Sequence, residues 1–220
     1  SSQQWEVEVI RKGEKLTLRP TQLVFTTGAY GPPKKIPIKG KKKFKGQIFH
    51  SSEYQDGRNF KGKRCVVVGS ATSAHDICQD LWECGAKSVT MVQRSSSIII
   101  KSATLLEYGF GELYSEQALQ NGITTDKADL LFASLPYKLV PDAHREVYRQ
   151  MYEHDKEFYD QLQESGFKFD FGEDGSGLLM RALRTASGYY IDVGASELII
   201  QKKIKLKNGA TPERCDEKSI

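Results

Sequence analysis

The stretch from Arg64 to Arg94, RCVVVGSATSAHDICQDLWECGAKSVTMVQR, leaves the chain little freedom in how it folds. Cys65 to Val68 is a short run rich in β-branched residues with no polar alternation, which predicts a strand buried on both faces and ending at Gly69. Ala74, Ile77, Cys78, Leu81 and Trp82 then recur at helical spacing, and Gly85 stands where a left-handed cap ends a helix. Val89 to Val92 is a second apolar run. Strand, tight turn, helix and strand together predict an α/β, Rossmann-like βαβ unit, the kind that seats a dinucleotide pyrophosphate on its helix N-terminus.

The turn reads Gly69-Ser70-Ala71-Thr72-Ser73-Ala74. Against the pattern G-x-G-x-x-G/A, Gly69 and Ala74 fit, whereas Ala71 replaces the glycine whose missing side chain lets the backbone approach the phosphates. Gly69, Ser70, Ala71, Thr72 and Ser73 are the candidate pyrophosphate-binding residues; the alternative is an ordinary βαβ crossover with no ligand. Past the second strand the chain offers Gln93, Arg94, Ser95, Ser96 and Ser97 and no carboxylate for the ribose 2′-hydroxyl of NAD. A guanidinium fork with hydroxyls beside it suits a 2′-phosphate, so Arg94 and Ser95 point to NADPH. A solvated arginine at a strand end is the other reading of Arg94.

With 220 residues, 39% hydrophobic and 27% charged, the chain has enough apolar material for one or two globular domains. No stretch reaches the length of a membrane span, and SSQQWEVEVI lacks a signal-peptide core, so a soluble cytoplasmic protein is expected. Cys65, Cys78, Cys84 and Cys215 lack CxxC or Cys/His ligand spacing and read as reduced thiols, with no disulfide and no metal. The net charge of +4 is concentrated in PPKKIPIKGKKKFKG, where only Phe44 is aromatic. That pattern predicts a solvated loop rather than a nucleic-acid site.

At the start, Trp5, Val7 and Val9 alternate with Glu6 and Glu8, Gly13 turns the chain, and Leu16 and Leu18 alternate with polar residues, which predicts a β-hairpin. Gln22 to Thr26 reads as another strand. The run LVFTTGAYGPP that follows is similar to the strand and A-T-G hinge joining the FAD and NADPH domains of flavin-containing monooxygenases, with Thr27 and Gly28 matching and Thr26 in place of the alanine. Downstream, Phe44-x-Gly46-x-x-x-His50-x-x-x-Tyr54 resembles that family's F-x-G-x-x-x-H-x-x-x-[YF] fingerprint at all four fixed positions, at the right distance from Gly69. The resemblance implies part of an FAD-domain β-sheet at 1–30, a lysine-rich connection carrying the fingerprint at 31–62, and an NADPH-binding domain at 63–220. It places Thr27, Gly28, Phe44, Gly46, His50 and Tyr54 at the domain junction, with His50 acting on geometry rather than as a general base.

Beyond Arg94, Ile98 to Ile100 predicts a strand or buried edge, and Asp126 to Leu135 a helix stopped by Pro136. Pro141 opens one long helix, its stripe of Val147, Tyr148, Met151, Tyr152, Phe158, Tyr159 and Leu162 running to Gly166. The stripe reads as core before it reads as a substrate wall. By resemblance this helical insertion, about 103–187, helps cover an active site. His75 is expected on the polar side of the nucleotide helix, exposed or near a phosphate, and His144 and His154 on the surface. Gly172 to Gly177 reads as a plain turn, Leu178 to Leu183 as a helix, Tyr189 to Val193 as a strand, Ser196 as a helix cap, and Ile204 and Leu206 with Asn208-Gly209 as a strand entering a turn. Asp192 to Ile199 is expected to hold the end of the third strand and the closing helix of the nucleotide lobe.

Family members begin with a βαβ unit for FAD, and no G-x-G-x-x-G precedes Trp5, so a truncated central portion is expected. Three readings follow: the NADPH-binding part of a flavin monooxygenase acting on a small organic substrate; an NADPH module serving a separate flavin-bearing chain or a homo-oligomer; and a relative reused as a non-redox binder, cyclase or isomerase. No catalytic acid or base is nominated.

Overall fold

The computed structural model describes residues 4–26, 28, 31–34 and 36–220, so Thr27 and Lys35 lie outside the described residues. The chain divides into two units, 1–32 and 33–220. In the first, β1 (Val7–Arg11) and β2 (Glu14–Leu18) form the expected antiparallel hairpin, Val7 opposite Leu18. Lys12 and Gly13 turn it with φ of 52° and 85°, the paired positive values that match strand twist. Gln22 to Thr26 is irregular rather than a strand, with Val24 and Phe25 each 78% exposed. A strand needs a partner for its backbone groups, and among the described residues β1 and β2 pair only with each other.

In the second unit, β3 (Arg64–Val68), α1 (Thr72–Glu83) and β4 (Ser88–Gln93) form the expected unit, with β3 and β4 parallel. Gly85 ends α1 at φ 82° and donates its N–H to the Trp82 carbonyl. The expectation that β3 is buried on both faces is corrected. Cys65 and Val67 pack toward the core around α1, but Val66 and Val68 are 44% and 40% exposed. The reason is packing: the α1 layer covers the face that carries Cys65 and Val67, and no described residue buries the face that carries Val66 and Val68.

β5 (Ile98–Lys101) leads into α2 (Ser102–Thr104), a π-helical turn at Leu105–Phe110, and then α3 (Glu116–Gln120) and α4 (Thr125–Ser134). The expected single long helix is two, α5 (Val140–His154) and α6 (Lys156–Glu164). Asp155 breaks it: the residue is 6% exposed, and its carboxylate accepts from Lys101 Nζ at 2.8 Å and from the Thr104 hydroxyl. α7 (Gly177–Thr185) precedes β6 (Tyr189–Asp192), which pairs in parallel with β5 in a separate two-stranded sheet. After α8 (Ala195–Ile200), β7 (Ile204–Asn208) joins β4, giving the three-stranded parallel order β3-β4-β7. The third strand of that sheet is therefore β7, which corrects the strand half of the Asp192–Ile199 reading, while its helix half is α8. Ser196 is not the cap of α8 either: Asp192 Oδ1 accepts from the Gly194 and Ser196 N–H groups at 3.3 and 3.0 Å, and the Ser196 hydroxyl is buried.

β5 is buried on both faces, as is the C-terminal half of β4. Ile99 joins the core of Met91, Leu162, Tyr190 and Ile204, while Ile98 and Ile100 join Leu105, Tyr148 and Met151 on the other side. Each such side chain contributes roughly 1.5–3 kcal/mol on burial, so this strand joins the helical stretch to the α1 layer. The described lysines of the lysine-rich segment are exposed, but its backbone is held by the C-terminal tail. Lys39 N–H donates to the Glu213 carbonyl, Cys215 N–H to that of Lys39 at 2.7 Å, and Lys45 N–H to that of Glu217. Cys215 is thereby buried.

Candidate functional site: the glycine turn and its flanking bend

Gly69 has φ 135°, a conformation that disfavours any residue with a Cβ, and its N–H donates to the Val92 carbonyl at 3.0 Å. The turn is thus laid across the end of β4. The Ala71 carbonyl accepts the first helical bonds, from Ala74 and His75. The N–H groups of Ser70, Ala71, Thr72 and Ser73 find no acceptor among the described residues. Four free donors at the positive end of a three-turn helix are suited to an anion. Ala71 is extended, at φ −99° and ψ −173°, so its methyl group does not strain the turn.

Two of the three hydroxyls in the turn are already used. Ser70 Oγ lies 2.9 Å from Ser97 Oγ, Ser97 Oγ donates to the Ser70 carbonyl at 2.7 Å, and Thr72 Oγ1 donates to the Tyr189 carbonyl at 3.0 Å. Ser73 is exposed. These bonds tie the turn to β5 and β6, leaving the backbone as its chief donor set. Arg94 and Ser95 are exposed, without a hydrogen bond or ion pair among the described residues. The bend that carries them is fixed at both ends to the turn, through Val92 to Gly69 and through Ser97 to Ser70. The backbone that carries Arg94 and Ser95 is therefore anchored beside the free N–H groups of the turn, a set of donors whose chemistry suits an anionic group.

Three residues of this neighbourhood escape a reading of the sequence. Ser97 is one, although the run of serines signals hydroxyls at that place. Gln93 is fully buried, its side-chain amide donating to the Lys168 carbonyl at 2.7 Å and accepting from Lys168 N–H at 2.9 Å. His75 is the third, and its expected exposure is corrected: it is fully buried, stacked on Tyr190 at 4.1 Å, with Nδ1 3.1 Å from the Ala71 carbonyl and Nε2 unpartnered. Burial pulls its pKa down to about 4, so it is neutral at pH 7 and offers no charge to a phosphate. Its place three residues before Cys78 was the signal, since that puts it on the apolar stripe. His154 is exposed beside the Tyr108 hydroxyl; His144 is half-buried, not on the open surface, and burial lowers its pKa.

The fingerprint residues do structural work away from the turn. The Phe44 ring folds over Gly46 so closely that a Cβ there would come within 2.5 Å of it. His50 is exposed and caps the short turn Ser51–Glu53: its Nδ1 accepts from Ser52 N–H at 3.1 Å, and its own N–H donates to Glu53. Tyr54 donates its hydroxyl to Asp80 Oδ2 at 2.6 Å, and burial with that carboxylate pushes the phenol well above its usual range. Gly57 N–H donates to the same oxygen. This straps the segment to α1 at Asp80, about 12 Å along the helix from Thr72 at 1.5 Å per residue. Asp56, Asp80 and Cys84 lie within ligating distance of one another, but Arg58 occupies the Asp56 carboxylate, and Tyr54 and Gly57 that of Asp80. Gly28, in the first unit, has φ 82°, and no described residue comes within 4 Å of where its Cβ would stand.

A family model described as pyridine nucleotide-disulphide oxidoreductase matches residues 3–167. The chain is 31% identical over 138 residues to the probable indole-3-pyruvate monooxygenase YUCCA10 of Arabidopsis thaliana, covering 61% of this chain and 36% of that protein. It is 37% identical over 79 residues to trimethylamine monooxygenase of Pelagibacter ubique, covering 36% and 18%. It is 33% identical over 131 residues to flavin-containing monooxygenase 3 of Oryctolagus cuniculus, covering 57% and 24%. The chain thus spans between about a fifth and about a third of these relatives' lengths. With the family model matching most of its residues, the chain belongs to the pyridine nucleotide-disulphide oxidoreductases and, among them, to the flavin-containing monooxygenase family.

Proposed function

We propose that this chain is the NADPH-handling portion of a flavin-dependent monooxygenase that acts on a small organic substrate. The observation that carries the reading is the coupling of the turn to its flanking bend. Four free N–H groups at the start of α1 receive the pyrophosphate, and Arg94 with Ser95, fixed to that turn through Val92 and Ser97, receives the 2′-phosphate. NADPH supplies a hydride for the flavin, whose reduced form is the oxygen-activating group in this family. This chain's own residues bind and orient the nucleotide, and Gly69 holds the backbone where the phosphates need it. No residue of the turn is placed to move a proton, since His75 is buried and neutral and the Ser70 and Thr72 hydroxyls are spent. His50, Tyr54 and the Phe44–Gly46 pair set the path of the segment leading into β3.

The test is a titration of the purified chain with NADPH and NADH, alongside its visible spectrum. NADPH is expected to bind more tightly than NADH, and Arg94→Ala to weaken NADPH by about tenfold, the value of one charge-assisted contact, with little effect on NADH. Equal losses for both nucleotides would sink the 2′-phosphate assignment. A flavin spectrum in the pure chain would mean that it carries its own redox partner, and a colourless chain that binds NADPH would point to a separate flavin-bearing chain or to a module that hands its nucleotide on.

A further inference from the structure

Arg94 and Ser95 are bracketed by hydrogen bonds to one distant stretch of chain, residues 168–170. On one side, the Gln93 side-chain amide donates to the Lys168 carbonyl at 2.7 Å and accepts from Lys168 N–H at 2.9 Å. On the other, Ser97 N–H donates to the same carbonyl at 3.2 Å, and Asp170 N–H donates to the Ser97 carbonyl at 3.4 Å. Ser97 and Phe169 thereby pair in parallel. Both ends of the bend that carries the exposed guanidinium thus rest on a short base that lies 75 residues on from Gln93.

Between those ends one side chain is tied down. The Ser96 hydroxyl donates to Asp170 Oδ2, while Asp170 Oδ1 accepts from Gly172 N–H at 2.8 Å and from Arg181 Nη2 of α7 at 2.7 Å. Burial works against the charge of this half-buried carboxyl, but the Ser96 and Gly172 hydrogen bonds and the Arg181 guanidinium outweigh it and hold its pKa below the ordinary value. At neutral pH the group is therefore an acceptor-only carboxylate, which obliges Ser96 to donate. The serine beside the two residues that face solvent is in this way fastened, through one carboxylate, to a helix.

We propose that Asp170 is a positioning residue for nucleotide selectivity: through Ser96 it holds the Arg94–Ser95 backbone ready for a 2′-phosphate, and Arg181 of α7 holds Asp170 in turn. Backbone ordered before the ligand arrives spares binding an entropic cost. The gain falls on NADPH alone, because NADH has no group for Arg94 to meet. This inference rests on the NADPH reading above and adds to it a residue outside the βαβ unit.

The test pairs nucleotide titration of the full chain with backbone order parameters from nitrogen-15 relaxation. Asp170→Ala and Ser96→Ala should each weaken NADPH by about fivefold, the value of one lost hydrogen bond, and NADH by less than about twofold. Ser96→Ala removes a single oxygen from a half-buried side chain, so it reports even if Asp170→Ala fails to fold. Ser96→Thr, which keeps the hydroxyl, should bind NADPH as the unaltered chain does. In the Arg94→Ala background neither alanine change should cost NADPH anything further, since the donor they position is gone. Without nucleotide, the order parameters of Arg94 and Ser95 should fall from about 0.85 toward about 0.6 in both variants. Equal losses for the two nucleotides, losses that add to that of Arg94→Ala, or unchanged order parameters would each overturn the proposal and leave the 2′-phosphate assignment standing. A chain with no preference for NADPH, or one whose preference survives Arg94→Ala, would overturn that assignment and the proposal with it.

Discussion

At the scale of single residues, His75 makes a prediction that does not depend on any ligand. Its folded-state pKa, near 4, lies below the value of about 6.5 expected in the unfolded chain. Above pH 6.5 both states are neutral and the stability is fully present. As the pH falls from 6.5 toward 4, the unfolded chain takes up a proton that the folded chain refuses, and stability declines by at most about 1.4 kcal/mol per pH unit. Urea unfolding at pH 7, 5.5 and 4.5 should show this loss, and His75→Phe, which keeps a ring against Tyr190, should flatten it. A wild-type curve and a His75→Phe curve that fall in parallel would show that other groups carry the acid sensitivity.

Among the elements, the informative one is the interruption between α5 and α6. Asp155 leaves the helical path because its carboxylate is held by Lys101 on β5 and Thr104 on α2. Asp155→Ala would leave Thr104, 3% exposed, without its acceptor and Lys101 without its counter-charge, at a cost of about 2–3 kcal/mol. Asp155→Asn should cost less, because an amide oxygen still accepts; a chemical denaturation midpoint for each variant checks the order. The same element shows where a sequence is readable. The turn at Gly69, the stripe of α1 from Ala74 to Leu81, and β7 from Ile204 and Leu206 are local patterns, and all three were legible. The helix break was not, since its cause lies 54 residues away at Lys101. Nor was the burial of His75, whose partner Tyr190 arrives from the far side of the insertion. The half-open face of β3 could not be read either, because a valine run looks the same in a border strand and a central one. In the site, residue types suggested the donors at 70–73 and the arginine at 94, but not that Ser97 would consume the Ser70 hydroxyl.

For the whole molecule, the two units differ in what holds them. In β1 and β2 no described residue is buried, whereas β4 carries Val89, Met91, Val92 and Gln93 below the surface. An isolated two-stranded hairpin is marginal in water, so backbone amides of Val7–Leu18 should exchange with deuterium orders of magnitude faster than those of Ser88–Gln93. Comparable protection in both would mean that the hairpin is covered by something in solution. Within the second unit, the side chain of Gln93 presents a peptide's own donor and acceptor to the Lys168 backbone, in effect a rung of the ladder made without a strand. A rung carried by a side chain can be kept while everything between its two ends is rewritten. The helical stretch between β5 and α5 could therefore lengthen or shorten over evolutionary time, like the exchangeable head of a tool, while β3, α1, β4 and β7 keep their arrangement.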